Sequence, residues 1–169
     1  KAAGREKKAH WWLFPYLLLY TGMRPGEALA LTYADIDRKA GVIHVTKKLS
    51  YAMGQFPKLE DHLKSENGNR KIPLLAPLAD ALPRNRVGLI FPGADGGYMR
   101  AGEITRNWRK YCRDVGLNEI IQTSDGATHE TFPITPHCFR HSFATICYEA
   151  GLDPRQAAEI LGYTPEVLE

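Results

Sequence analysis

Thr135-Pro136-His137-Cys138-Phe139-Arg140-His141-Ser142-Phe143 is the stretch from which the rest of the chain can be read. Thr-Pro supplies an N-cap and a first-turn proline, so a helix is predicted from Pro136 to its stop at Gly151. On such a helix His137, Arg140, His141 and Ala144 share one stripe at i, i+3, i+4, i+7, while Phe139, Phe143 and Ile146 form a separate apolar stripe. A guanidinium fork beside an imidazole suits an anion with several oxygens, and a phosphate diester fits that description. Alone, an H-x-x-R face is more often a solvated surface, so the flanking sequence has to decide.

Downstream, Asp153-Pro154-Arg155-Gln156 repeats the pattern with an acidic N-cap and starts a short helix that stops at Gly162, followed by Tyr163. Upstream, residues 8 to 20 read as an apolar helix closed by Gly22. A turn at Met23 and Arg24 leads to Pro25 and Glu27, which suit the first turn of a helix from 25 to about 33. Arg24 therefore stands at a helix entrance. Val42 to Thr46 is β-branched and reads as a strand, Leu49 to Gln55 as a second, and Arg70 to Leu74 as a third stopped near Pro73. Asn67-Gly68 marks a turn before the last of these. Residues 101 to 115 set Ile104, Trp108, Tyr111, Cys112 and Val115 against a cationic face of Arg106, Arg109, Lys110 and Arg113. Leu117 to Thr131 reads as a loop. The class expected is mainly α with a small antiparallel three-stranded β-sheet (α+β).

The 169 residues suffice for one domain, and 44% hydrophobic with 24% charged residues is a globular composition. A net charge of +3 argues only weakly for a polyanionic partner, so the local clustering of arginines matters more. Three cysteines without paired spacing do not make a disulfide framework and suit a reducing compartment. The apolar run Trp11 to Tyr20 contains Pro15 and is too short for a bilayer, and no signal peptide is recognisable. The chain begins at Lys1 and ends at Glu169 inside what reads as a helix, so it is expected to be a fragment.

Four blocks occur in order: Thr21-Gly22-Met23-Arg24-Pro25-Gly26-Glu27, then Lys64 ahead of Arg70-Lys71-Ile72-Pro73-Leu74, then Thr135 to His141, then Ile160-Leu161-Gly162-Tyr163. Together they resemble the phage integrase family of tyrosine recombinases, from about residue 10 to the end. The resemblance implies a catalytic domain that breaks and rejoins DNA through a 3′-phosphotyrosine, without metal or cofactor. It implies that Arg24 and Arg140 clamp the scissile phosphate, that Lys64 protonates the leaving 5′ oxygen, and that His137 assists proton transfer. Glu27 would orient the active site from behind the residues that touch the phosphate, and His141 is either a helix-packing histidine or one that supports the site in the same way. The implied partners are double-stranded DNA and, on it, three further copies in a tetramer, in the cytoplasm of a bacterium and at its nucleoid, for a phage or other mobile element. Two guanidiniums, an ammonium and an imidazole can offset the charge of a phosphorane, a task other nucleases give to Mg²⁺.

The sequence departs from the family where His or Trp usually follows Leu-Gly, since Tyr163 stands there; its hydroxyl can still donate to a phosphate. The resemblance places the family's nucleophilic tyrosine past Glu169 and its helical core-binding domain before Lys1. Arg106, Arg109, Lys110 and Arg113 are candidates for DNA-backbone contacts, which carry affinity and salt dependence rather than sequence readout. Other readings keep a place at this point: a DNA-binding module without catalysis, a type IB topoisomerase-like relaxase, and a metal-dependent hydrolase using His137, His141 and Cys138.

Overall fold

A computed structural model of the chain describes residues 11–51, 56–61 and 69–162. It opens with α1 (Leu13–Thr21), whose Leu13, Phe14, Leu17 and Leu18 are fully buried. Burying each such side chain contributes roughly 1.5–3 kcal/mol. Phe14 stacks on Trp11 and meets the edge of Phe91, which closes one end of the core. Gly22 ends the helix with φ 61°, as its left-handed role predicts, and its N–H bonds to Leu18 O. A β-carbon at Gly22 would drive into the Phe143 ring and stand 2.7 Å from Leu161 Cδ2, so three elements meet at this bare backbone.

α2 (Pro25–Ala30) is shorter than the expected run to about 33. Leu31 turns extended, and Asp35 accepts from both the N–H and hydroxyl of Thr32, so the chain bends into a 3₁₀ turn, Tyr33–Asp35. The next strands are β1 (Ile36–Asp37), β2 (Val42–Val45), β3 (Lys47–Tyr51), β4 (Pro57–Asp61) and β5 (Arg70–Pro73). The expected antiparallel three-stranded sheet exists, but its order is β1-β2-β5. The predicted second strand belongs elsewhere, pairing as β3 with β4 in a separate hairpin; residues 52–55 of that prediction, and the Asn67-Gly68 turn, lie outside the described residues. In β5 the burial alternates, so Arg70 and Ile72 face inward while Lys71 and Pro73 face out. Arg70 stands opposite Val45.

α3 (Ala76–Ala81) and α4 (Ala101–Val115) come next, the latter with the predicted bounds. Trp108 and Cys112 are its buried side, whereas Val115, expected inside, is half exposed where the helix leaves the core. Trp108 Nε1 donates to Ile134 O at 2.9 Å and its ring meets the edge of Phe139, which docks α4 on the start of α5. The segment read as a loop is in fact a hairpin, β6 (Glu119–Gln122) with β7 (Thr128–Thr131). All but one of its strand residues are exposed, so no in-out alternation marked it.

α5 (Cys138–Glu149) starts later than its Thr-Pro signal: His137 occupies the N-cap position and Thr135 O takes the Cys138 N–H. α6 (Pro154–Leu161) has the predicted acidic cap, with Asp153 Oδ1 accepting from Arg155 N at 2.9 Å, and Gly162 stops it at φ 66°. No helix among the described residues is long and apolar enough to cross a membrane.

Candidate active site

The end of α6 is where the candidate residues converge. Arg140 projects from α5 into the protein and is only 1% exposed, the largest fully buried side chain among the described residues. Its two terminal nitrogens donate to Gly22 O at 2.6 Å and Leu161 O at 2.5 Å. The stripe of His137, Arg140 and His141 is therefore not one solvent face: the two imidazoles are exposed and the guanidinium is turned inward. Charge-assisted bonds to backbone carbonyls let a buried arginine keep its charge, and the carboxyl end of α6 favours a cation.

Arg24 caps α2 with extended backbone, as its place between a helix stop and a helix start requires. Its N–H donates to Glu27 Oε2 at 2.8 Å, and its guanidinium lies 3.4 Å from Glu27 Oε1 and 3.4 Å from Gly162 O. The side chain remains 40% exposed, so of the two candidate arginines it is the one that reaches solvent.

Glu27 is fully covered, and the residue that neutralises it was not singled out from sequence. Arg70 sends a fork onto both carboxylate oxygens, at 3.0 and 2.7 Å, and its Nε donates to Ile160 O at 2.7 Å. Burial works most strongly against the Glu27 charge, but Arg70 and then Arg24 outweigh it and hold the carboxyl below the usual carboxylate range. The signal for Arg70 was available: a charge two residues from Ile72 on one strand occupies the inward face and needs a buried partner.

Ile160, Leu161 and Gly162 thus offer three consecutive carbonyls to Arg70, Arg140 and Arg24, from β5, α5 and the entrance of α2. The last turn of a helix leaves such carbonyls unpaired, and here cations from three parts of the chain answer them.

His137 joins this cluster. Desolvation first, then His141, then Arg140 and Arg24, hold its imidazole below the usual histidine range, so it stays neutral near pH 7. A neutral ring can accept a proton at one nitrogen and donate from the other. His141 meets His137 edge-on with ring centroids 5.1 Å apart. Arg24, Glu27, His137, His141 and Arg140 are accordingly brought together. Lys64 and Tyr163 lie outside the described residues.

The cationic face of α4 is only half available. Lys110 pairs with Asp114 at 2.6 Å, and Arg113 grips Glu130 of β7 at 2.7 and 2.5 Å while stacking over Phe132. Arg106 and Arg109 make no ion pair among the described residues; Arg109 rests over the Phe132 ring, and both line an open depression floored by Ala101, Gly102 and Thr105.

The model of the phage integrase family matches residues 3–166, and the chain belongs to that family. It is 30% identical over 156 residues to the tyrosine recombinase XerC of Agrobacterium fabrum, covering 87% of this chain and 40% of that protein. The transposase of transposon Tn916 from Enterococcus faecalis is 25% identical over 155 residues, covering 87% of this chain and 38% of its own. Among solved structures, the Tn1549 transposon integrase in complex with transposon right end DNA superposes with a TM-score of 0.66 at 25% identity, over 91% of this chain and 51% of that one. XerA recombinase shares the fold, with a TM-score of 0.62 at 21% identity over 99% of this chain and 52% of its own. The chain spans about two fifths of the length of these curated relatives.

Proposed function

We propose that this chain is the catalytic domain of a tyrosine site-specific recombinase and provides the cradle in which a DNA phosphate is attacked. The observation that carries the reading is the convergence of Arg24 and Arg140 on the last carbonyls of α6, with His137 at the N-cap of the helix that carries Arg140, in a chain of the phage integrase family. Arg24 reaches solvent and meets the non-bridging oxygens directly, while Arg140 sets the cationic floor beneath them. His137, neutral at rest, exchanges a proton with the reacting oxygens. Lys64 protonates the 5′ oxygen, Tyr163 donates to the phosphate, and the attacking tyrosine is the one the resemblance puts past Glu169. The substrate is double-stranded DNA, the working unit on it is a tetramer, and the setting is the bacterial cytoplasm, all three resting on the likeness to recombinases. In a protein carrying this chain and that tyrosine, Arg24→Ala is expected to slow covalent capture of a nicked suicide duplex by about a hundredfold or more. Parent-rate capture by Arg24→Ala would sink the reading.

Arg106 and Arg109 are the members of the α4 face that we assign to the DNA backbone, because Lys110 and Arg113 already satisfy carboxylates. Replacing both by glutamine is expected to lower the slope of log affinity against log salt by about 2, measured by fluorescence anisotropy on a labelled duplex. An unaltered slope would return this face to bulk solvent.

A further inference from the structure

We propose that Arg70 is a positioning residue: by occupying both oxygens of Glu27 it keeps Arg24 from collapsing onto that carboxylate and so preserves a cation for the phosphate. The proposal rests on the reading of Arg24 as a phosphate-binding group. Among the described residues, two arginines face one buried carboxylate. Arg70 holds it by a fork at 3.0 and 2.7 Å, whereas the Arg24 guanidinium approaches Oε1 at 3.4 Å. The side chains of Glu27 and Arg70 are 0% and 4% exposed, so their attraction is little screened by water. Arg24 is three residues from Glu27 on the same helix entrance and already gives its N–H to Oε2. It is the cation on hand to replace Arg70.

The charges of the trio sum to +1, with Arg24 its more exposed cation; without Arg70, those of Arg24 and Glu27 sum to zero. Arg70 is itself fixed from two other sides, by its inward register position opposite Val45 and by Ile160 O. Its guanidinium also lies against the backbone of Gly162, where a β-carbon would come within 3.0 Å of Nη1. Glu27 is thus held by an arginine that packing prevents from turning to substrate.

The test titrates inorganic phosphate into the chain and follows the His137 ring resonances by NMR, which reads the folded population alone. Arg70→Met is expected to weaken phosphate binding about tenfold, the scale of one charge-assisted contact. Arg70→Met/Glu27→Gln should return to within about threefold of the parent, since a neutral amide has no charge with which to hold Arg24. If Arg70→Met does not fold, Glu27→Gln alone carries the test and should bind phosphate at least as tightly as the parent. Parent-like binding by Arg70→Met, an unrecovered double variant, or weaker binding by Glu27→Gln would each overturn the proposal. Parent-like binding by Arg24→Ala would instead overturn the reading of Arg24, and the proposal with it.

Discussion

Glu27→Ala is expected to cost about 3–5 kcal/mol of folding stability, read from urea unfolding, because it strands the Arg70 guanidinium in the interior. The geometry makes this a severe case: the fork is bidentate, both side chains are almost wholly buried, and the same carboxylate closes the start of α2 on the Arg24 N–H. The effect carries a pH signature. The carboxyl of Glu27 lies below its ordinary value of 4.5 in the folded chain despite the opposing effect of burial, so the unfolded chain holds its proton more tightly. Its contribution is complete above that ordinary value and drains away as pH falls through the depressed folded value. Glu27→Gln should flatten this part of the acid limb, and an acid limb identical to the parent would show that Glu27 does not set it.

Arg140→Met should be nearly as damaging, about 2–5 kcal/mol, since two carbonyls inside the protein lose their charged donors. The carbonyls of Gly22 and Leu161 belong to the end of α1 and the end of α6, so the loss separates two elements that Arg140 binds together. Hydrogen exchange at the amides around Gly22 and Gly162 should quicken before the rest of the chain opens. A methionine variant as stable as the parent would mean that packing, not these bonds, joins the helix ends.

How far the sequence could be read depended on the range of the interaction responsible. Gly22 and Gly162 end their helices through local backbone geometry, and the amphipathic period of residues 101–115 is written in fifteen consecutive positions. Both were legible. The hairpin β6–β7 was not, because its strands lie on the surface with no buried face to impose alternation. The swap of β3 for β1 in the sheet shows the same limit: Ile36–Asp37 is too short to carry a period, yet it pairs with Val42 and Ile43.

The site divides in the same way. Arg24, Glu27, His137 and Arg140 were singled out by the resemblance to the integrase family, and the structure brings them together. Arg70 escaped because its partners are 43 residues before it and 90 after it, a relation that only tertiary structure makes visible. The buried posture of Arg140 was also beyond the helical stripe, which places residues on a face without saying which way that face is turned.

The three carbonyls at the end of α6 also bear on where this chain can change length. Each residue added to a helix rotates the remainder of that helix by about 100° and advances it by about 1.5 Å. One insertion between Pro154 and Leu161 would therefore bring the wrong carbonyl to each of Arg70, Arg140 and Arg24 at once, and no single substitution could restore three matches. The exposed tip between β6 and β7 is under no such constraint. An insertion at the hairpin tip is thus expected to leave the site intact where one in α6 would not, the residue count of α6 serving as a ruler between its acidic cap and its glycine stop.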